Sequence, residues 1–380
     1  MICITDDNRS SCCGCSACKS VCPKRAISMM PDKEGFLTPS VDESLCIDCG
    51  LCDTVCPMKH NEELKEKCKE NVYVGALKNG EELLKSQSGG AFWALAKSVI
   101  RNDGVVYGCG YKGNFVAAHK RAETLEQCEE FRGSKYVQSD MGDCYIQVKK
   151  DLQAGKLVLF SGTPCQCAGL KFFLIKEYDN LICCDIVCHG VPTPLLSQSY
   201  ISECERERED KVVGFNYRYY DGVSLTWGRP LERIDFSRGD YVLETKLSNL
   251  FYSHAFMRAS CNVCPFGSKA TSDVTIADAW GCKNYVTDIQ NTECGVSEIL
   301  IHKKTEEIYK MLIESMDLTK VSYEDILRYQ PCLVHPTEAS SNRERYMRMF
   351  LKKGALYTQK KMAQRAKVKD LFLKIIGKRK

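Results

Sequence analysis

Two copies of one cysteine spacing constrain this chain more than any other feature of it. Cys12, Cys15, Cys18 and Cys22 follow C-x2-C-x2-C-x3-C and are closed by Pro23; Cys46, Cys49, Cys52 and Cys56 repeat the pattern and are closed by Pro57. This is the bacterial iron–sulfur spacing, and its duplication specifies a two-cluster unit. A [4Fe–4S] cube needs four thiolates at tetrahedral corners. Three closely spaced cysteines wrap one side of it, and the fourth comes from the other run because the chain crosses over. Cys12, Cys15, Cys18 and Cys56 are therefore assigned to one cluster, and Cys46, Cys49, Cys52 and Cys22 to the other. Each proline stops the turn after the crossing cysteine and removes a donor that would need a partner. Zinc sites, usually built from CxxC pairs, gain nothing from this spacing. Cys13 is left over and reads as a bystander sulfur. Between the runs, AISMMPDKEGFLTPSVD has the alternation and turn residues of a hairpin.

In all, 25 cysteines stand in 380 residues, of which 44% are apolar and 27% charged. A chain of that length buries a sizeable core without disulfide staples. MICITDDNRS has neither the basic nor the apolar region of a secretory signal, so a reducing cytoplasm is expected, with many thiols committed to metal. The net charge of +4 argues for no nucleic-acid partner. No apolar run is long enough to span a bilayer.

After NEELKEKCKE (61–70), which reads as a charged helical linker, strands alternate with helices. NVYVGAL, VVYGCGY, FVAAHKRA, LVLFSG and LICCDIVC read as strands, the last two as continuous apolar runs buried on both faces. SGGAFWALAKSVIRNDG, TLEQCEEF, GDCYIQVKKDLQAGK and PCQCAGLKFFLIKEY read as helices. The pattern predicts an α/β (α+β) core with a mixed, largely parallel sheet, preceded by a small ferredoxin-like α+β two-cluster domain. Residues 211–246 turn strand-rich, DVTIADAW and SEILIHKK follow as late strands, and EEIYKMLIESM is an amphipathic helix. Beyond Pro336 the chain is basic and helical. Cys109, Cys128, Cys144, Cys183, Cys184 and Cys204 read as small core hydrophobes.

FSGTPCQ places Thr163 at a helix cap and Cys165 in the first turn, beyond the carboxyl end of a buried strand, where ligands of open α/β sheets sit. It reads equally as a well-made turn with a chance cysteine. Cys188 ends the next buried strand, and CNVCP supplies Cys261 and Cys264. Those four thiols suit a third [4Fe–4S] cluster, a zinc site or a redox-active CxxC. His189 beside them reads as a hydrogen-bonded side chain. Ser88, Gly89 and Gly90 open a helix as a phosphate cradle would, or as an ordinary cap. FRGSKYVQSD is a small-residue loop carrying Gly133, Ser134, Lys135 and Tyr136. There is no G-x-G-x-x-G dinucleotide fingerprint. The basic stretch from Lys367 to Lys380 reads as a solvated helix end, with contact to an anionic membrane surface as the alternative.

Taken in order, the two-cluster module, SQSGG, GSKYVQS, GTPCQ, VCHG, CNVCP and TIADAWG resemble the coenzyme F(420) hydrogenase/dehydrogenase beta-subunit family, over roughly residues 1 to 330. The resemblance implies an iron–sulfur flavoprotein oxidoreductase that binds FAD beside a [4Fe–4S] cluster. The domain order is then a two-cluster domain (1–62), a linker (63–70) and two parts of a flavin domain (71–155 and 156–335), with the basic tail (336–380) outside the resemblance. Ser88, Gly89, Gly90, Gly133, Ser134, Lys135 and Tyr136, with Thr163, become its candidate flavin contacts. Asp278, Trp280 and Gly281 also lie in a family-like stretch, where this chain has Ala277 in place of the family's glycine. Reduced ferredoxin, another low-potential donor or a deazaflavin coenzyme would supply electrons. The alternatives are an electron-transfer subunit of a larger complex, with a catalytic partner subunit, and a non-enzymatic iron–sulfur sensor or binding protein. No residue is singled out as a catalytic acid or base.

Overall fold

The computed structural model describes residue 4, residues 7–287 and residues 293–377, with side chains as far as residue 366. Most of the MICITDDNRS segment before Asp7, and the side chains of the basic stretch from Lys367, lie outside the described residues.

The two cysteine runs fold alike. Gly14 and Asp48 occupy equivalent places and both take positive φ, at 70° and 49°; Ser16 and Gly50 do the same at 68° and 73°. These left-handed residues turn the backbone around each cysteine trio, and only glycine enters that region without strain. The expected hairpin joins the runs. Strands β1 (Ile27–Pro31) and β2 (Leu37–Val41) pair antiparallel, with Ile27 opposite Val41. Asp32 Oδ1 accepts from the Glu34 and Phe36 amides at the turn, as Asx turns do.

The main sheet has eight strands. They are β3 (Val72–Leu77), β4 (Val105–Lys112), β5 (Val116–Ala122), β6 (Val158–Gly162), β7 (Leu181–Ile186), β11 (Val274–Asp278), β12 (Ser297–Ile301) and β13 (Met316–Lys320). Their spatial order is β13-β3-β12-β11-β7-β6-β4-β5. The sheet is mixed. Parallel pairing is confined to its centre, β4-β6-β7-β11, and the flanking pairs are antiparallel. Side chains alternate between two cores. Val106, Leu159, Ile182 and Cys184 face helices Ala91–Arg101 and Thr305–Ile313; Tyr107, Phe160 and Cys183 face helices Cys144–Gln153 and Pro164–Leu174. Burial on both faces is why these strands read as unbroken apolar runs.

A second sheet of β8 (Val212–Tyr219), β9 (Leu231–Phe236) and β10 (Tyr241–Glu244) is wholly antiparallel. It shares a core with helices Pro194–Arg208 and Arg343–Lys353 through Ile234, Phe236, Tyr200, Met347 and Phe350. The 61–70 segment departs from expectation. Only a single 3-10 turn, Asn61–Glu63, forms there. Beyond it the chain pairs with another segment: the Lys67 amide donates to the Ser268 carbonyl, and Glu66 bridges Lys269. Partners elsewhere in the molecule override the helical propensity of the charged residues.

Candidate functional site

A small cavity is lined by Cys46, Cys49, Cys52 and, from the first run, Cys22. Cys49 is exposed and the other three are half-buried. Backbone amides aim at the sulfurs, Asp48 N at Cys46 Sγ (3.4 Å) and Ala26 N at Cys22 Sγ (3.3 Å). Around the first run, Cys12, Cys15, Cys18 and Cys56 are all buried. The Cys18 thiol is pushed up to about 12 by burial and by the neighbouring Cys12, Cys56 and Cys52. Gly14 N points at Cys12 Sγ at 3.4 Å, as its counterpart does in the repeat. Four thiolates from two runs, with amides directed at sulfur, are a donor set suited to an iron–sulfur cube. Among the described residues no three His, Cys, Asp or Glu side chains are disposed to hold a metal ion; the thiolates of a four-iron cube stand further apart than the ligands of one ion.

The third set also converges. β4, β6, β7 and β11 run parallel, so their carboxyl ends open on one edge, and a cavity of about 490 Å³ lies there. Cys165, Cys188, Cys261 and Cys264 all line it. They are near enough to raise one another's pKa, and burial lifts Cys261 to about 11 and Cys264 to about 12. Without metal these thiols are neutral, and metal binding must displace their protons. Gly190 N meets Cys188 Sγ and Val191 N meets Cys261 Sγ, both at 3.4 Å. Thr163 caps the helix as expected: its amide donates to Gln166 Oε1 (2.9 Å), and its hydroxyl lies 3.2 Å from Cys165 Sγ. His189 lines the same cavity, with Nδ1 3.7 Å from the Cys332 thiol.

Ser88, Gly90, Gly133, Ser134, Lys135 and Tyr136 line the same cavity. Gly89 is not in the lining. It packs on the sheet, where a Cβ would stand 2.2 Å from the Gly75 carbonyl. The Ser88 hydroxyl is already committed to the Val296 carbonyl at 2.7 Å. Gly90 caps helix Ala91–Arg101 with φ 84° and offers no side-chain acceptor; the Ala91 amide donates to Ser297 Oγ (3.4 Å), and the next first-turn residues, Phe92 and Trp93, line the cavity. Burial pulls Lys135 down to about 8. Asp278 and Trp280 form part of the wall with Ala277. Asp278 pairs with Arg218 (2.6 Å) and accepts from Trp227 Nε1 (2.9 Å), and Trp227 stacks on Trp280 at 4.7 Å. Gly281 serves the turn beyond, against the Tyr329 ring.

Three cavity residues gave no periodic signal. Arg132 lies over the Trp93 ring and donates to Ser86 Oγ (2.9 Å), while its Nε has no partner among the described residues. Its only sequence cue is adjacency to Gly133. His119 is buried, which lowers it to about 4 and keeps it neutral. Its Nε2 bonds the Ser161 carbonyl (2.9 Å), which only a protonated nitrogen can do, so Nδ1 accepts from Ser139 Oγ (3.0 Å). Cys109, expected in the core, lines the cavity because β4 runs on past the end of its pairing with β6 at Tyr107 while still paired with β5. Cys13, expected as a bystander sulfur, is buried, packs in one cluster with Cys15 and Cys165, and lines the cavity.

Residues 11–60 match the model of a 4Fe–4S dicluster domain, and residues 155–325 that of the C-terminal part of the coenzyme F420 hydrogenase/dehydrogenase beta subunit. No curated protein matches the chain. Among solved structures, a chain of the F420-reducing [NiFe] hydrogenase complex from Methanosarcina barkeri aligns at 16% identity with a TM-score of 0.44. The alignment covers 80% of this chain and 93% of that one. No helix among the described residues is long and apolar enough to cross a membrane. The dicluster domain marks an iron–sulfur protein of electron transfer, and residues 155–325 are similar to the C-terminal part of the coenzyme F420 hydrogenase/dehydrogenase beta subunit.

Proposed function

We propose that the chain is an iron–sulfur flavoprotein oxidoreductase. It would hold two [4Fe–4S] clusters in its first 62 residues, a third on Cys165, Cys188, Cys261 and Cys264, and FAD in the adjoining cavity. The observation that carries this reading is the one cavity at the carboxyl edge of the sheet. Its lining joins four thiols to the N-terminus of helix Ala91–Arg101, Arg132 and Lys135. When bound, the clusters would supply single electrons and the flavin would exchange one or two, linking a low-potential donor such as reduced ferredoxin or a deazaflavin to a substrate.

The chain's own residues support this in three ways. The first-turn amides of helix Ala91–Arg101 beyond Ala91, and Arg132 Nε, would offer donors to a pyrophosphate. The Trp227–Trp280 stack, tied by Asp278 to Arg218, gives a rigid aromatic wall. Burial lowers Lys135 to about 8, and its Nζ donates to the Glu130 and Arg132 carbonyls beside the cavity. The exposed Cys49 site is where an outside donor would meet the chain.

Anaerobic reconstitution, with iron, sulfide and flavin counted per chain, tests the reading. About twelve irons and one flavin are expected, four irons to a cube; eight irons would remove the third cluster, and no retained flavin would remove the FAD. A second reading, an electron-transfer subunit on a catalytic partner, is favoured by the matched family being one of beta subunits. A stoichiometric partner enzyme recovered from native lysate would support it.

A further inference from the structure

Arg258 is 3% exposed and lies at the seam between the dicluster region and the main sheet. Its Nε donates to the Cys12 carbonyl (2.8 Å) and Nη1 to Gln138 Oε1 (2.9 Å). Nη2 donates to the Leu37 carbonyl (3.0 Å) and reaches Cys12 Sγ (3.4 Å). Gln138 donates in turn to the Cys13 carbonyl (3.1 Å). None of these partners is a carboxylate. A buried cation is costly without a counter-charge. Thiols of both sets adjoin it: Cys12 Sγ of the first lies against Nη2, and Cys261 of the third, one turn along the chain, donates its amide to the Arg258 carbonyl (3.0 Å), while Val191, whose carbonyl accepts from the Arg258 amide (3.0 Å), points its own amide at Cys261 Sγ (3.4 Å). Gly14 makes room for the clamp, since a Cβ there would stand 2.5 Å from Gln138 Nε2 and 2.8 Å from Arg258 Nη1.

We propose that Arg258 is the shared counter-charge of the first and third clusters and raises the reduction potential of both. The proposal rests on the iron–sulfur reading above. Positive charge and N–H···S bonds stabilise the more negative, reduced form of a cluster. The second site is faced instead by Lys24, exposed and therefore screened by solvent and salt. Each reduction takes up one electron from dithionite through mediators and leaves the thiolates in place.

The test is a mediated redox titration of the anaerobically reconstituted full chain, followed by electron paramagnetic resonance. Wild type, Arg258→Gln, Arg258→Lys and Cys49→Ser are compared, the last identifying the exposed cluster's step. Arg258→Gln is expected to shift the reduction equilibrium of two steps by tenfold or more toward the oxidised form, about 59 mV for one electron, and to leave the Cys49-dependent step unmoved. Lysine keeps the charge but not the planar fork, so Arg258→Lys shifts the same two steps by a smaller factor, about threefold. An iron-loaded Arg258→Gln with all steps unmoved overturns the proposal. Where the glutamine variant fails to load iron, Arg258→Met is measured in its place, and all steps unmoved in that variant overturn the proposal. Wild type that takes up no iron defeats the underlying reading before any variant is measured.

Discussion

Glu298 lies on β12 with no exposed surface, and neither carboxyl oxygen has a hydrogen-bond partner among the described residues. Gln330, close by, gives its amide to the Asp278 carbonyl instead. Burial pushes the carboxyl from 4.5 up to about 8. The folded chain therefore holds a proton that the unfolded chain releases between those values. Stability from this group is complete below about pH 4.5 and is lost as pH rises through 8, at about 1.4 kcal/mol per pH unit. His119 has the opposite sign. Burial lowers it from 6.5 to about 4, so its contribution is complete above about pH 6.5 and is lost as pH falls toward 4. Glu298→Gln removes the first slope. Its stability relative to wild type should climb between pH 5 and 8, measured by chemical denaturation at pH 5, 6.5 and 8. An offset equal at all three pH values would deny the buried acid its proton.

At the scale of elements, helix Arg343–Lys353 shows what charge hides. Its sequence RERYMRMFLKK reads as basic surface, yet Met347 and Phe350 are buried against the β8–β10 sheet. Phe350 meets the Phe256 ring edge-on at 5.7 Å. Arg343 pairs with Glu34 of the hairpin turn at 2.6 Å, 309 residues away in sequence. Phe350→Ala should therefore cost about 3–5 kcal/mol, read as a lowered denaturation midpoint, whereas Arg348→Ala on the same helix should change stability by less than about 0.5 kcal/mol. Helix Ala91–Arg101 makes the corresponding functional prediction. Arg132→Leu removes the buried cation beside its N-terminus and should weaken FAD retention at least tenfold, read by flavin fluorescence on titration. Retention as in wild type would place the pyrophosphate elsewhere.

For the whole molecule, what the sequence disclosed was whatever local spacing encodes. The duplicated cysteine runs, the hairpin, and the strand–helix alternation through Cys165 and Cys188 each rest on neighbours in the chain. The parallel strands then carry Cys165 and Cys188 to one edge, as their positions at strand ends implied. Arg132, His119 and Arg258 were silent because their roles arise from contacts up to 246 residues apart. The 61–70 linker misled because its hydrogen-bond partner lies near Ser268. The crossover of the two runs is the point at which local spacing and global arrangement meet, and exposure makes it testable. Cys12, Cys15, Cys18 and Cys56 are buried, while Cys49 is exposed and Cys22, Cys46 and Cys52 are half-buried. A chelator should strip iron quickly from the exposed set and slowly from the buried one. Cys22→Ser and Cys56→Ser should each lose about four irons per chain. If the runs cross, Cys22→Ser loses the fast-stripped fraction and Cys56→Ser loses part of the slow one. If each run held its own cube, Cys22→Ser would spare the fast fraction and Cys56→Ser would abolish it. The two arrangements exchange the kinetic phenotypes of the same pair of variants, so one stripping time course on each decides between them.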